Sequence, residues 1–348
     1  MTIKYALLIF MFFSLPAFAQ RREEKIIKKE VIETDIRIDL NKYKKKGKKN
    51  ICGSDEHTAY AMVGNIYFPP FSWLSEEDVG NGNKKKYTLI GIGVDYFNHI
   101  LNKTFKKVYS SNDIIVDSNE KIMRSIIKGS ADIHVDTFYD PDPRLGMEYI
   151  YPSYISLHMV TVTRKGDEKT QISSIDDLKK YKGAASKNEN TQWIFQTIGI
   201  NTENDDKIKI VEPSENTYKE LFTMLMTGEV DYILTNIYSA RAEIARYKAY
   251  NIVKVNEKDI LKLNRLFFAV SKMSPSCRYF IKDMENTINN DLQEDSLKDI
   301  VLNNIKKYAN QYKNEPKLVA PIKPLQEKDY PSSENKESDR KSEQENTP

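Results

Sequence analysis

Hydrophobic positions along this chain switch between two periods. "TAYAMVGNIYFPPFSW" reads as a strand ending at Pro69-Pro70. "YTLIGIGVDYFNHILNKTF" begins strand-like and turns helical, with Val94, Phe97, Leu101 and Phe105 on one face. "NEKIMRSIIKG" keeps the helical period through Ile122, Ile126 and Ile127, and Gly129 is a stop signal. "ADIHV" is a short strand and "YISLHMVTVTRKG" a longer, β-branched one. "SSIDDLKKYKG" predicts a helix capped by Ser174, with Asp176 and Asp177 in its first turn. The strand "GAAS", the helix "NTQWIFQTIG" and the strand "IKIVEP" come next. "ENTYKELFTMLMTG" predicts a helix burying Leu221, Phe222, Leu225 and Met226, before the strands "EVDYILT" and "NRLFFAVSK". Two helices close the series, "CRYFIKDMENTINND" and "SLKDIVLNNIKKYANQY". Such alternation predicts α/β architecture with open, largely parallel sheets.

The ends obey other rules. "MTIKYALLIFMFFSLPAFAQ" has a lysine, an apolar run and an A-x-A site, so residues 1–19 are expected to be a cleaved signal peptide. Residues 20–50, ending in "KYKKKGKK", predict a basic flexible segment. Residues 313–348 are rich in Pro, Ser, Glu and Lys without an apolar period, and are expected to be disordered. That leaves roughly 260 residues of folded core, enough for two domains. The net charge of +3 gives no argument for nucleic acid. Cys52 and Cys277 are the two cysteines, and in an exported chain they could form a disulfide or stay as free thiols. His57, His99, His134 and His158 are too scattered for a metal motif, and no metal or cofactor is expected.

Two local patterns bear on function. The succession helix, G-x-x-D, strand occurs in "MRSIIKGSADIHV" and again in "FTMLMTGEVDYILT", which suggests two similar lobes. Each glycine suits a left-handed helix end. The first unit leads into "DTFYDPDPRLGMEYIYPSY", where Pro141 and Pro143 forbid a regular helix and leave Arg144 at the start of the segment after them.

Four segments together resemble extracellular solute-binding proteins of family 3, the amino-acid-type periplasmic binding proteins. They are "YFPPFSW", "GIGVDYFNHIL" with Asp95 at the acidic position, "GSADIHVDTFYDPDPRLGMEYIYPSY" and "ENTYKELFTMLMTGEVDYILTN". The resemblance implies a two-lobed, type II periplasmic-binding-protein-like clamp, each lobe an open sheet flanked by helices. Lobe one would hold residues 51–159 plus 262–312, and lobe two residues 160–261. Hinge segments are expected near Val160 to Arg164 and near Val255 to Leu263. Both cysteines then fall in lobe one, an arrangement that favours a disulfide over free thiols. The expected partners are a small-molecule ligand and an ABC permease, for a monomeric periplasmic protein that is not an enzyme. Membrane contact is expected only through the permease or the basic N-terminal segment.

Arg144 falls on the family's carboxylate-pairing arginine, whose two parallel donors match two carboxylate oxygens. Tyr67, Phe71, Trp73 and Tyr139 are candidate apolar walls, and core packing is the alternative for Phe71 and Trp73. Asp136 and Thr137 lie on the ligand-facing turn. Asn190 and Thr191 open a lobe-two helix whose N–H groups could hold an anion. Amino-acid binders commonly place an aspartate after the second-lobe strand. Here that residue is Asn236, which weakens the amino-acid assignment but not the clamp. A dehydratase of the cyclohexadienyl or arogenate kind is the alternative on this scaffold. Its acid would be Ser239, which cannot protonate a leaving hydroxyl as a carboxylic acid can. A signalling or structural protein with this fold is the third option.

Overall fold

The computed structural model describes residues 59–78, 85–105, 110–140, 142, 146–189, 191–203, 205–256, 264–274, 281–294 and 296–314. The expected leader, the basic segment, most of the expected tail, Cys52, Arg144, Asn190 and Cys277 lie outside the described residues.

Two five-stranded sheets organise the chain, each with its own core. The first has the order β5-β1-β6-β13-β7, from Ser110–Asp113, Ala59–Val63, Ile133–Phe138, Asn264–Ser271 and Met147–Leu157. The second has the order β10-β9-β11-β8-β12, from Ile208–Val211, Gly183–Ser186, Tyr232–Asn236, Met159–Arg164 and Val253–Asn256. A small antiparallel sheet joins β2 (Tyr67–Phe68), β3 (Ser72–Asp78) and β4 (Lys85–Ile90). Seven α-helices complete the described residues: α1 (Ile92–Phe105), α2 (Asn119–Ile127), α3 (Gln192–Thr197), α4 (Thr217–Thr227), α5 (Ile237–Tyr247), α6 (Ile281–Asp291) and α7 (Ser296–Gln311).

The sheets are mixed, which corrects the expectation of largely parallel pairing. In each sheet two pairings are parallel and two antiparallel, so one strand, β13 in the first and β8 in the second, runs against the other four. The antiparallel pairings involve β7, β8, β12 and β13, the strands that carry the chain from one sheet to the other and back. This crossing also explains why "YISLHMVTVTRKG" is two strands. Its first part ends at Leu157 in the first sheet and its second begins at Met159 in the other. Residues 160–164, expected as a hinge segment, lie within β8, paired with β11 and β12. The crossing falls at His158. The two extended segments share one polar and apolar rhythm, so the sequence does not mark the change of sheet.

The repeated G-x-x-D unit has a structural job. Gly129 and Gly228 end α2 and α4 at φ of 65° and 79°. The Asp132 carboxylate then accepts from the Ala61 N–H at 2.8 Å, tying β6 to β1. The Asp231 carboxylate accepts from the Lys182 N–H at 2.9 Å, tying β11 to the strand entering β9. The equivalent strands of the two lobes are therefore pinned the same way.

Aromatic packing fills the first core, where Tyr154 stacks on Phe268 at 4.3 Å and Phe97 meets the same ring edge-on at 5.0 Å. The second sheet has apolar clusters on both faces: Phe222, Leu225 and Ile233 on one, Leu178, Phe195 and Leu234 on the other. That double burial accounts for the continuous apolar run of β11. The expected helix after Ser174 is a 3-10 turn, Ile175–Lys180, drawn tight by Asp177 accepting from the N–H groups of Ser173 and Ser174.

Candidate functional site

The lobes meet along a line that starts at the "PPF" turn. Ile92 and Gly93 donate their N–H groups to the carbonyls of Pro70 and Phe71 at 2.9 and 3.0 Å, fixing the turn on the start of α1. The turn also touches lobe two. The Ser239 hydroxyl donates to the Pro69 carbonyl at 2.7 Å, and Phe71 meets Tyr238 edge-on at 5.7 Å. Further along, α5 of lobe two packs on α7 of lobe one. There Trp73, Ala242 and Tyr308 form a shared buried cluster.

A cavity of about 340 Å³ lies beside this contact. Lobe one contributes Asn65, Phe68, His134, Asp136, Thr137, Phe138, Tyr139, Asp140 and Tyr149, with Ile122 and Met123 from α2. Lobe two contributes Lys187, so the walls come from both lobes. A wider depression of about 740 Å³ lies on lobe two alone, between β10 and α4, and does not reach the lobe boundary.

Three expected site residues come together in the cavity wall. The Asp136 carboxylate is held from within by the Asn65 N–H at 3.1 and 3.2 Å and by the Ser72 hydroxyl. His134 Nε2 lies 3.3 Å from the same carboxylate. Thr137 is buried and donates its hydroxyl to the Phe138 carbonyl at 3.0 Å. Tyr139 is 53% exposed and packs against Tyr149 at 5.1 Å and Phe267 at 6.1 Å. Tyr67 is half-buried on β2, which touches the turn Lys187–Glu189 of lobe two.

The other described candidates lie in the packed interior. Phe71 is fully buried against Phe68 at 4.8 Å. Trp73 donates its indole N–H to Gln311 at 2.9 Å and meets Tyr308 edge-on. Thr191 is buried and donates to the Ser186 carbonyl at 2.9 Å. Asn236 is the N-cap of α5. Its Oδ1 accepts from the N–H groups of Tyr238 and Ser239 at 3.0 and 2.9 Å, and its Nδ2 donates to Ser239 Oγ at 2.9 Å. Its side chain is thus engaged within lobe two.

The sequence did not single out Glu189. This residue ends a short 3-10 turn after β9 and is 0% exposed. Its carboxylate accepts from the Tyr218 hydroxyl at 2.5 Å, the Thr235 hydroxyl at 2.7 Å and the Asn236 N–H at 2.7 Å. Burial pushes the carboxyl up to about 7, against the opposing pull of these three hydrogen bonds. Between the ordinary 4.5 and about 7 the folded chain holds a proton that the unfolded chain has lost. This contribution to stability is fully present below 4.5 and is lost as pH rises to about 7. In urea denaturation, the stability of the native chain relative to Glu189→Gln is expected to fall by about 3 kcal/mol across that window.

Among the described residues, no cluster of three or more His, Cys, Asp or Glu side chains is arranged to hold a metal ion. No protein-family model matches the sequence, and neither does any curated protein. Solved structures do match. One is the amino acid ABC transporter substrate-binding protein AbpA from Streptococcus pneumoniae, bound to L-arginine. It is 16% identical over 72% of this chain and 96% of that one, with a TM-score of 0.53. A second is an ancestral cationic amino acid solute-binding protein, AncCDT-1, 17% identical over 71% and 95%, with a TM-score of 0.51. The periplasmic VFT2 domain of Bordetella pertussis BvgS matches at 17% identity over 71% and 94%, with a TM-score of 0.50. At these identities the likeness is one of fold, and the fold of this chain is that of the two-lobed periplasmic binding proteins.

Proposed function

We propose that this chain is a periplasmic solute-binding protein that captures a small polar, carboxylate-bearing ligand between its lobes for an ABC permease. The observation that carries this reading is the cavity walled by both lobes, with Asp136, Thr137 and Tyr139 on one side and Lys187 on the other. A ligand touching both walls favours the closed arrangement over any open one, which is how binding becomes a signal a permease can read. Arg144 is assigned to the ligand carboxylate on the strength of its sequence position, between Thr137 and Tyr139 and the cavity-lining Met147. The chain is taken as a binder and not an enzyme because Ser239, at the catalytic-acid position of the related dehydratases, is buried and hydrogen-bonded to Pro69.

A thermal-shift screen over amino acids, polyamines and organic acids tests the proposal. At 100 times its dissociation constant, a ligand should stabilise the chain by about 2.7 kcal/mol. A stabilising hit with a carboxylate supports the assignment, and a hit with no anionic group removes the role given to Arg144.

A further inference from the structure

We infer that lobe two carries a carboxylate ligand of its own: Glu189 occupies an anion cradle built from Tyr218, Thr235 and the Asn236 N–H, and so braces that lobe against Pro69 of lobe one. The donors come from α4, β11 and the cap of α5, and they converge on one fully buried carboxylate at 2.5 to 2.7 Å. All three are neutral, so no cation offsets the buried charge: burial keeps the carboxyl protonated up to about 7, and above that the anion is held by oriented dipoles, as a bound anion is at a helix start. The cradle is also continuous with the lobe contact. Asn236 holds Ser239 Oγ, and Ser239 donates to the Pro69 carbonyl. The Glu189 carbonyl itself accepts from Asn264 Nδ2, at the start of the strand that returns the chain to lobe one, at 3.3 Å.

The titratable groups that face this network are Tyr218, from α4, and Glu243, from α5, whose charge reaches Tyr218. Lobe one presents Pro69 and Asn264, neither of which titrates. Lys187, on the same turn as Glu189, pairs with Glu212 at 2.7 Å. A consequence, which rests on the solute-binding proposal, concerns the ligand. The anion-holding donors around Asn236 are already taken, so an external ligand meets lobe two at Lys187 and relies on lobe one for its carboxylate. The native ligand then needs no ammonium group facing Asn236.

Chemical rescue tests the cradle separately from any native ligand. In Glu189→Ala the three donors lose their carboxylate and leave space for a small one. Sodium acetate and sodium formate, compared with sodium chloride at equal ionic strength, should raise the melting midpoint of the variant saturably, by about 2–4 °C. The same salts should leave the native chain at its chloride value. Equal shifts in both proteins, or none in the folded variant, overturn the inference. If Glu189→Ala does not fold, Thr235→Val decides, since it removes one donor and keeps the carboxyl. A shift to higher pH of the loss of melting midpoint that the native chain shows between 4.5 and about 7 supports the cradle, and a profile superimposable on the native one overturns it. The ligand screen reads stabilisation of the native chain, whereas the cradle is read from the difference between variant and native chain in the same salt, so failure of the solute-binding proposal and failure of the cradle give different results.

Discussion

Replacing Gly91 by alanine is expected to cost about 3 kcal/mol or more in urea denaturation. Gly91 sits at φ 141°, a conformation that strains any side chain. A Cβ there would lie 2.2 Å from the Phe71 carbonyl oxygen and 2.8 Å from the Ser72 Cα. Both obstacles are backbone, so no rotamer change relieves them. Nor can the backbone easily retreat. The "PPF" turn is fixed to α1 by the Ile92 and Gly93 hydrogen bonds, and it carries Pro69 into the lobe contact and Ser72 onto Asp136. Loss of stability should therefore come with a disturbed cavity wall. A Gly91→Ala variant within 1 kcal/mol of the native chain, by roughly the uncertainty of such extrapolations, would contradict the close approach.

The second large effect is expected at Arg246. Its Nη1 donates to the Tyr308 hydroxyl at 2.7 Å, and that hydroxyl donates to Glu243 Oε1 at 2.5 Å. Arg246 Nη1 also lies 3.5 Å from Glu243 Oε2, and the guanidinium sits over the Tyr312 ring at 3.9 Å. Arg246, Glu243 and Tyr308 are buried between α5 of lobe two and α7 of lobe one, and the half-buried Tyr312 follows α7. Truncating Arg246 to alanine leaves the Glu243 charge buried without its arginine, at a cost of about 3–5 kcal/mol. Replacing both ends by apolar residues, as in Arg246→Met with Glu243→Leu, should cost much less, because neither of these two charges is then left buried without the other. A double variant as unstable as the single one would show that geometry, and not uncompensated charge, dominates this contact.

How much of this was readable in the sequence depended on what each element buries. Helix α4 announced itself because Leu221, Phe222, Leu225 and Met226 form an apolar stripe, and all four are buried. Helix α5 did not. It buries apolar Ala240, Ala242, Ile244 and Tyr247 together with polar Ser239, Glu243 and Arg246, so its apolar period is diluted by buried polar contacts, some of which join the lobes. The glycines of the repeated G-x-x-D unit were legible as helix ends, while the partners of its aspartates lie 71 and 49 residues away in sequence and had to come from the fold. The site divides in the same way. Asp136, Thr137 and Tyr139 follow one another on a strand and its exit, and they reach the cavity together. Glu189 was invisible because "SKNENT" has no apolar rhythm, and its donors arrive from Tyr218, Thr235 and Asn236, far along the chain.

The most direct test of capture between the lobes is calorimetric titration of the strongest hit from the ligand screen into the native chain and into Arg144→Ala. The expected result is one ligand per native chain, with affinity reduced in the variant by about 2–5 kcal/mol, roughly 30-fold or more, and an unchanged unfolding midpoint without ligand. Equal affinity in the two proteins, or no binding by any compound in the screen, would contradict a carboxylate-clamping cleft.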